Sequence, residues 1–540
     1  MFQVFSKKFI ALLSASVIAI SGSITLGAAN ADTSKTCNLT STVETAVCDE
    51  IVYGTLHRVG QLDRVGGAGT GGYTDLQMSY ITGGLLYRFD EFLVPRRDLV
   101  ERKTTSLDGL TVTLKLRTIK YSDGTPFNAE DVVVAFKRWA ASGASPSFIS
   151  KITSMVAVTP NTLKINLKSL YPDIDYALAQ PYFMIHPADR VKTPAMANDY
   201  FKKPVSLGPM KVKQYTPGAD VSIYDINPNY WAKPVVKVLK VVYMPDATSR
   251  QLALQQGTID YAFELALTAK KELSAQTVNV FPHFDPGTFM LAINMNPEQP
   301  NAALKDPRVR RAISAAVDRA QIMAIAFGGL AKPNCGMQFN VNNPLYVCSL
   351  PKKGARDVAL AKKLLAEAGY SNGFKMKLVY PNRVLWPDAN AIIKQNLLDV
   401  GIDVTLLPEP DANISPNYIL KKNWEIMWFG NNAPTPILQL SNWFAIGGLW
   451  ALNVGTGLAT VPDDVKMNKL LDDAASTKAL NARKKLLTEL EAIAYQSSHF
   501  IPIGTRYRLS GTRIGDGIAR PPIPGDLYFH IGMNPSLPKK

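Results

Sequence analysis

Three carboxylates crowd one short stretch, "YSDGTPFNAEDVVVAFKRW" at residues 121–139: Asp123, Glu130 and Asp131. Acids at such spacing could work as a general acid–base pair or hold a divalent cation. The neighbouring residues point elsewhere. Ser122, Asp123, Gly124, Thr125 and Pro126 are the residues a tight turn demands. Asn128 is a good helix N-cap, and Asp131 three positions on is its capping-box-like partner. Glu130 and Asp131 fall in the first helical turn, where the macrodipole favours negative charge. Val132, Val133, Phe136 and Trp139 then repeat at helical spacing as an apolar face. Every acid has a structural task, and the stretch reads as scaffold.

Other chemistry is sparse. In "GGAGTGGY", Gly67, Gly69 and Gly72 match G-x-G-x-x-G, and Asp90 lies at roughly the acidic offset of a dinucleotide fold. The segment before it carries Arg58, Gln61, Asp63 and Arg64, where a buried parallel strand should be apolar. The glycines therefore read as a longer flexible loop, and no cofactor is expected. A secreted enzyme using the Gly67–Gly72 loop is the rival from another class. The five histidines, His57, His186, His283, His499 and His530, form no H-E-x-x-H or Cys/His zinc spacing. No G-x-S-x-G elbow or phosphate-binding P-loop occurs. No catalytic residue and no metal ligand is assigned.

The elements around these residues belong to a chain of 540 residues, enough for two or three domains. Lys7 and Lys8, an apolar run over residues 9–26 and Ala29-Asn30-Ala31 before Asp32 have the layout of a secretory signal peptide. An uncleaved membrane anchor is the alternative, since the run is near spanning length. No second run of that length follows, so an exported, soluble mature chain is expected. The four cysteines fall as close pairs, Cys37 with Cys48 and Cys335 with Cys348. In an exported chain this favours disulfides, local pairing being the simplest of three connectivities. Neither Cys37 nor Cys48 has a lipoprotein context. Net charge is +15, but the basic residues are scattered and not interleaved with aromatics, so nucleic acid is not an expected partner.

Residues 110–117, "LTVTLKLR", alternate as a half-exposed strand. Residues 306–329 read as one capped amphipathic helix ending in glycines. Residues 357–370 form a helix closed by Gly369, followed by the strand "FKMKLVYP". Residues 388–408 repeat helix, glycine stop at Gly401, strand. This alternation implies an α/β fold with a partly parallel sheet.

These pieces resemble the family 5 extracellular solute-binding proteins, the dipeptide-, oligopeptide- and nickel-binding components of ABC importers. "GLTVTLKLRTIKYSDGTPFNAEDVVVAFKRW" is similar to the family's signature region. "LGPMKVKQY", "INPNYW", "QQGTID", "FMLAINMN", "DPRVRRAISAAVDRAQI", "AKKLLAEAGY", "VGIDVTLL" and "SSHFIPIG" follow in the family's order, across nearly all of residues 50–510. The resemblance implies a two-lobed periplasmic-binding-protein-like α/β fold (type II, cluster C) with a ligand cleft between lobes. Residues 1–31 would be the signal peptide and 32–284 the N-terminal part of lobe I. Lobe II would be 285–497, with 498–540 returning to lobe I. Hinge strands are expected near residues 289–295 and 500–504. The function implied is an extracytoplasmic peptide-type binding protein, a monomer without catalysis, serving a membrane permease.

Cleft residues follow from the same matching. Gly54 and Thr55 lie where the first strand's loop would approach a ligand. Arg383 and Trp386, in "YPNRVLWPD", lie near where dipeptide binders hold a carboxylate, a task suited to an Arg fork. Peptide-binding members use a Trp-x-x-Asp run to meet the peptide's ammonium. Here the corresponding run, "WFGNNAPTPI", pairs Trp428 with Asn431. A buried ammonium facing a neutral amide would lose a charge-assisted partner, at a cost on the order of 2–3 kcal/mol. Either another acid meets the ammonium, or the ligand lacks one, as a sugar, opine, anionic or metal-chelate ligand would.

Overall fold

The computed structural model describes residues 48–63, 65, 73–89, 94–141, 148–180, 183–232, 236–274, 278–338, 343–383, 385–431 and 435–514. The expected signal peptide, Cys37, the Gly67–Gly72 loop and Asp90 lie outside the described residues.

The described residues open with strand β1 (Cys48–Thr55) and helix α1 (Tyr73–Thr82). Strands β2 (Val100–Thr105), β3 (Thr111–Leu116), β4 (Ile152–Thr159) and β5 (Thr162–Leu167) form a separate four-stranded sheet in the order β2-β3-β5-β4. Helix α2 (Ala129–Ala141) connects its two halves. Then come β6 (Met210–Gln214), β7 (Val221–Ile226), β8 (Val236–Tyr243), the short β9 (Tyr261–Ala262) and the long β10 (Asn279–Ile293). Helices α3 (Pro307–Ala316), α4 (Arg319–Ile325) and α5 (Val358–Glu367) precede β11 (Phe374–Pro381). Next follow α6 (Trp386–Leu398), β12 (Ile402–Glu409), β13 (Ile426–Asn431), α7 (Pro436–Phe444), α8 (Leu480–Ser497) and β14 (Phe500–Thr512).

One 11-stranded sheet runs through the molecule in the order β12-β11-β13-β10-β14-β9-β1-β8-β7-β6, with a short strand at Lys332–Pro333 added to β14. β11 pairs parallel with β12 and β13, and β1 pairs parallel with β8 and β9. Among the described residues these two parallel sets join through β10 and β14, which pair antiparallel from Asn279↔Thr512 to Ala292↔Phe500. Side chains alternate across β10 as a strand requires. Phe289, Leu291 and Ile293 pack with Val309, Ile313 and Ile501 in one core, whereas Met290 and Ala292 pack with Trp443, Leu487 and Phe500 in another.

The stretch that begins the sequence argument is built as its residue types dictate. The Glu130 amide donates to Asn128 Oδ1 at 2.8 Å, and the Asn128 amide donates to Asp131 Oδ2 at 3.0 Å, closing a capping box. The other Asp131 oxygen accepts the Ala188 amide at 2.8 Å, tying α2 to the next segment. Asp123 closes its own turn through the Thr125 amide and pairs with Arg190 at 2.8 Å.

The "INPNYW" run is also structural. Asn227 Nδ2 donates to the carbonyls of Ser206 and Gly208. Tyr230 Oη and Trp231 Nε1 both donate to Asp98 Oδ1, at 2.8 and 2.6 Å. The other Asp98 oxygen takes Arg88 Nε at 2.5 Å, with both side chains 2% exposed. Arg88 also donates to the Tyr80 and Gly83 carbonyls.

Residues 306–329 depart from the single expected helix. Val317 is extended (φ −75°, ψ 124°), and Asp318 accepts the Gln321 amide to cap a second helix. The buried Arg319 side chain then reaches back to the Ser314 and Pro502 carbonyls. A local capping residue and a buried cation with carbonyl partners override the continuous apolar periodicity.

On α8, Glu491 is fully buried and accepts three hydrogen bonds: from the Met337 amide (3.1 Å), Gln338 Nε2 (2.8 Å) and Ser349 Oγ (2.8 Å). Burial pushes its carboxyl up from the ordinary 4.5 to about 7, with the three donors opposing. A raised folded-state value means the folded protein holds a proton the unfolded chain has released. Stability should therefore fall as pH rises from about 4.5 to about 7, by roughly 3 kcal/mol from this group. Urea denaturation of Glu491→Gln across that window should show the slope flattened; an unchanged slope would remove Glu491 from the account. Asp98→Ala strands a buried guanidinium and the Tyr230 and Trp231 donors and should lower stability by about 3–5 kcal/mol. Asp123→Ala, whose ion pair is solvated, should cost about 1 kcal/mol or less by the same measurement.

Candidate functional site

In sheets with parallel strands, ligands sit beyond the carboxyl ends of the strands where the order switches. The registers locate that place. β9 runs from Tyr261↔Thr512 to Ala262↔Gly511, and β1 runs beside it from Tyr53↔Tyr261 to Gly54↔Ala262. Both point toward the middle of β14. From the other side, β13 runs from Ile426↔Ile293 to Asn431↔Thr288, toward the middle of β10. The two sets of carboxyl ends converge on residues 285–288 of β10 and 505–506 of β14. The pairing of the crossing strands slips there, between Asp285↔Arg506 and Thr288↔Thr505.

On the first edge stand Gly54 and Thr55. A Cβ on Gly54 would lie 2.6 Å from Ile259 Cδ1, so the glycine lets β1 approach its neighbour. Thr55 is buried, and its hydroxyl meets that of Thr74 at 2.8 Å, fastening the end of β1 to the start of α1. Tyr53 Oη donates to Gln77 Oε1 one helical turn on.

The second edge gathers the remaining candidates. Arg383 follows β11 and is half-buried; its carbonyl accepts the Trp386 amide at 3.3 Å. Leu385 beside it has φ 76°, a left-handed conformation that a side chain of this size rarely adopts. Trp386 and Trp428 are each 5% exposed and meet edge-to-face at 4.8 Å, with Phe289 at 4.9 and 5.7 Å. Trp428 Nε1 donates to Asn390 Oδ1 at 2.8 Å, and Asn390 Nδ2 donates to the Trp386 carbonyl at 2.7 Å. The two tryptophans thus form a hydrogen-bonded aromatic pair in the core next to the Arg383 loop. Asn431 is the last residue of β13, opposite Thr288. Arg383, Trp386, Trp428 and Asn431 come to one edge; Gly54 and Thr55 come to the other.

Sequence reasoning missed two groups here. Glu264, just past β9, is buried at φ 55° and pairs with the equally buried Arg508 of β14, whose guanidinium lies 4.9 Å from the Phe263 ring centroid. Arg250 holds this corner by donating to the carbonyls of Met244, Pro245, Phe263 and Glu264. The second group is a chain of neutral side chains at the slip. Gln439 Nε2 donates to Thr288 Oγ1 at 2.8 Å, and Thr505 Oγ1 donates to Asn334 Oδ1 at 3.0 Å. The sequence signal for it is polar residues set among apolar ones, as Gln439 is in "PILQLSNWF".

Burial holds His186 and His499 down to about 3, leaving both neutral. Among the described residues no group of three His, Cys, Asp or Glu could hold a metal ion, and no helix is long and apolar enough to cross a membrane. Cys335 and Cys348 form a disulfide. Cys48 is disulfide-bonded as well.

Comparison with known proteins agrees with this geometry. Residues 94–445 match the model of the bacterial extracellular solute-binding proteins, family 5. The glutathione-binding protein GsiB of Escherichia coli O1:K1 is 28% identical over 440 residues, covering 77% of this chain and 82% of that protein. The periplasmic binding protein DppA from Helicobacter pylori, solved with the peptide STSA, superposes with a TM-score of 0.74 at 20% identity, over 86% of this chain and 93% of that one. The binding protein AgaA from Agrobacterium tumefaciens, solved with agropinic acid, gives 0.75 at 23% identity, over 90% and 97%. The shared fold is the two-lobed, mixed α/β one of periplasmic binding proteins. By name these relatives are binding proteins. With strand ends from two sides meeting at a pair of crossing strands, and a family match over most of its length, this chain belongs to the bacterial extracellular solute-binding proteins, family 5.

Proposed function

We propose that the protein captures a short peptide or a related small solute between two lobes and delivers it to an ABC permease in the membrane. The observation that carries this reading is the convergence of the two strand edges on the slipped pairing at Asp285 and Thr288. A hinge there lets residues 32–284 with 498–540 close as one lobe against residues 285–497 as the other. A solute enclosed by that closure loses its water, so every polar atom it carries needs a partner from the walls. The Arg383 loop would supply a cation for a carboxylate, and the Trp386–Trp428 pair an apolar floor. Gly54 and Thr55 would form the facing wall. Export of the protein fits the signal-like N-terminus and the paired cysteines, and it would act as a monomer without cofactor.

Asn431 favours a second reading within the same class. Without a carboxylate at the end of β13, the site suits a ligand lacking a free ammonium there, such as an opine, a sugar, an anion or a metal chelate. Agropinic acid is the ligand of the AgaA structure.

Thermal-shift and calorimetric titration with Met-Leu, Ser-Thr-Ser-Ala, glutathione, agropinic acid and Fe(III)-EDTA separates these readings. A true solute at 100 times its Kd should add about 2.7 kcal/mol of stability. Stabilisation by agropinic acid or the chelate, with none from the three peptides, would overturn the peptide reading. Replacing Asn431 by Asp should tighten free-amine peptides by about ten-fold or more, the value of a charge-assisted hydrogen bond. No gain in the titration would remove Asn431 from the ammonium subsite.

A further inference from the structure

The segment "NCGMQFNVNNPLYVCS", residues 334–349, contains the Cys335–Cys348 disulfide and none of the residues matched to the cleft. Its described part is fastened at both ends. A Cβ on Gly336 would lie 1.9 Å from the Val347 carbonyl oxygen, so only glycine allows the two arms to approach. The Leu350 amide donates to the Cys335 carbonyl at 2.8 Å. On α8, Glu491 gathers Met337, Gln338 and Ser349 by the three hydrogen bonds already described.

From this anchored loop the Asn334 side chain reaches the crossing strands. Asn334 Nδ2 donates to the Gln338 carbonyl at 3.2 Å and stands 3.5 Å from Thr288 Oγ1 on β10. Its Oδ1 accepts Thr505 Oγ1 of β14 at 3.0 Å, and its amide donates to the Ile503 carbonyl at 3.2 Å. Gln439 of α7 completes the set by donating to Thr288. Asn334, Thr288 and Gln439 are fully buried and Gln338 is nearly so. Thr288 and Thr505 are direct partners immediately beside the slip, and Thr288 is also the partner of Asn431.

We propose that Asn334 is a positioning residue for solute capture, and that the disulfide-closed loop is the strap that holds it. The inference rests on the solute-binding reading above. A buried polar network acts as a unit, because loosening one member leaves its neighbours unpaired in a low-dielectric interior. Asn334 therefore sets the spacing of β10 and β14 at the hinge, and through Thr288 the seat of Asn431. Solute affinity then depends on a loop whose hydrogen bonds run to α8 and the hinge strands.

The test uses the full chain with two readouts. The first is calorimetric titration with Met-Leu, Ser-Thr-Ser-Ala, glutathione and agropinic acid. The second is amide hydrogen exchange without added solute. Thr288→Val and Asn334→Ala should weaken the tightest-binding probe by about ten-fold or more, and Thr288→Ser should return it to within about three-fold of wild type. Cys335→Ser with Cys348→Ser, which leaves every side chain of the network in place, should raise exchange at residues 288–290 and 503–505 by about ten-fold, with the β2–β5 sheet unchanged. Should Asn334→Ala fail to fold, the Thr288 pair and the cysteine variant carry the test. Unchanged affinity in Thr288→Val with a lowered Tm, or faster exchange confined to the loop itself, would make the strap merely structural and overturn the proposal. If no probe binds the wild type, the solute reading falls at that point, and the exchange arm still decides whether the strap holds the hinge.

Discussion

Everything in this protein hangs on the antiparallel pairing of β10 with β14. Twelve residue pairs, from Asn279↔Thr512 to Ala292↔Phe500, are the sheet's link between two otherwise separate sets of parallel strands. Strands 15 and 13 residues long are far beyond what either half needs for its own core. Their length makes them a shared spine, and the slip between Asp285 and Thr288 interrupts it where the carboxyl ends of both sets arrive. A ladder that is regular at both ends and irregular in the middle can bend in one place without unpairing either half.

Each half is then braced by buried charge and polar networks as well as by apolar packing. Asp98 gathers Arg88, Tyr230 and Trp231 from two segments, and Arg250 collects four carbonyls at the ends of β8 and β9. Glu491 does the same for the disulfide loop. Such groups are costly to bury and specify a single arrangement once satisfied, so they sit where a segment must hold one place relative to others. Apolar packing, which tolerates sliding, fills the space between them.

Several functional motifs of the sequence are explained by these braces and not by ligand chemistry. The acids of the 121–139 stretch are turn, cap and tether. Asn227, Tyr230 and Trp231 secure one corner of the first half. Trp386 and Trp428 are core residues that pack against each other beside the Arg383 loop.

Local signals in the chain sufficed wherever the deciding energy was local. The capping box at Asn128 and Asp131, the glycine stops at Gly369 (φ 85°) and Gly401 (φ 90°), and the strands at 374–381 and 402–409 follow from hydrogen bonds and dihedrals within a few residues. The order of family motifs likewise made the two-lobed class legible. The break between α3 and α4 needed Arg319 to find Pro502 across 183 residues. The Glu264–Arg508 pair and the Asn334 network join residues 244 and up to 171 positions apart in the chain. No periodicity or spacing announces a partner that distant. What the sequence alone determined is the set of elements and the class of scaffold, because those depend on short-range backbone and side-chain preferences. Which side chains stand at the slip between β10 and β14, and what holds them there, was decided only in three dimensions, because a buried polar group must take whatever partner the completed fold brings within hydrogen-bonding reach.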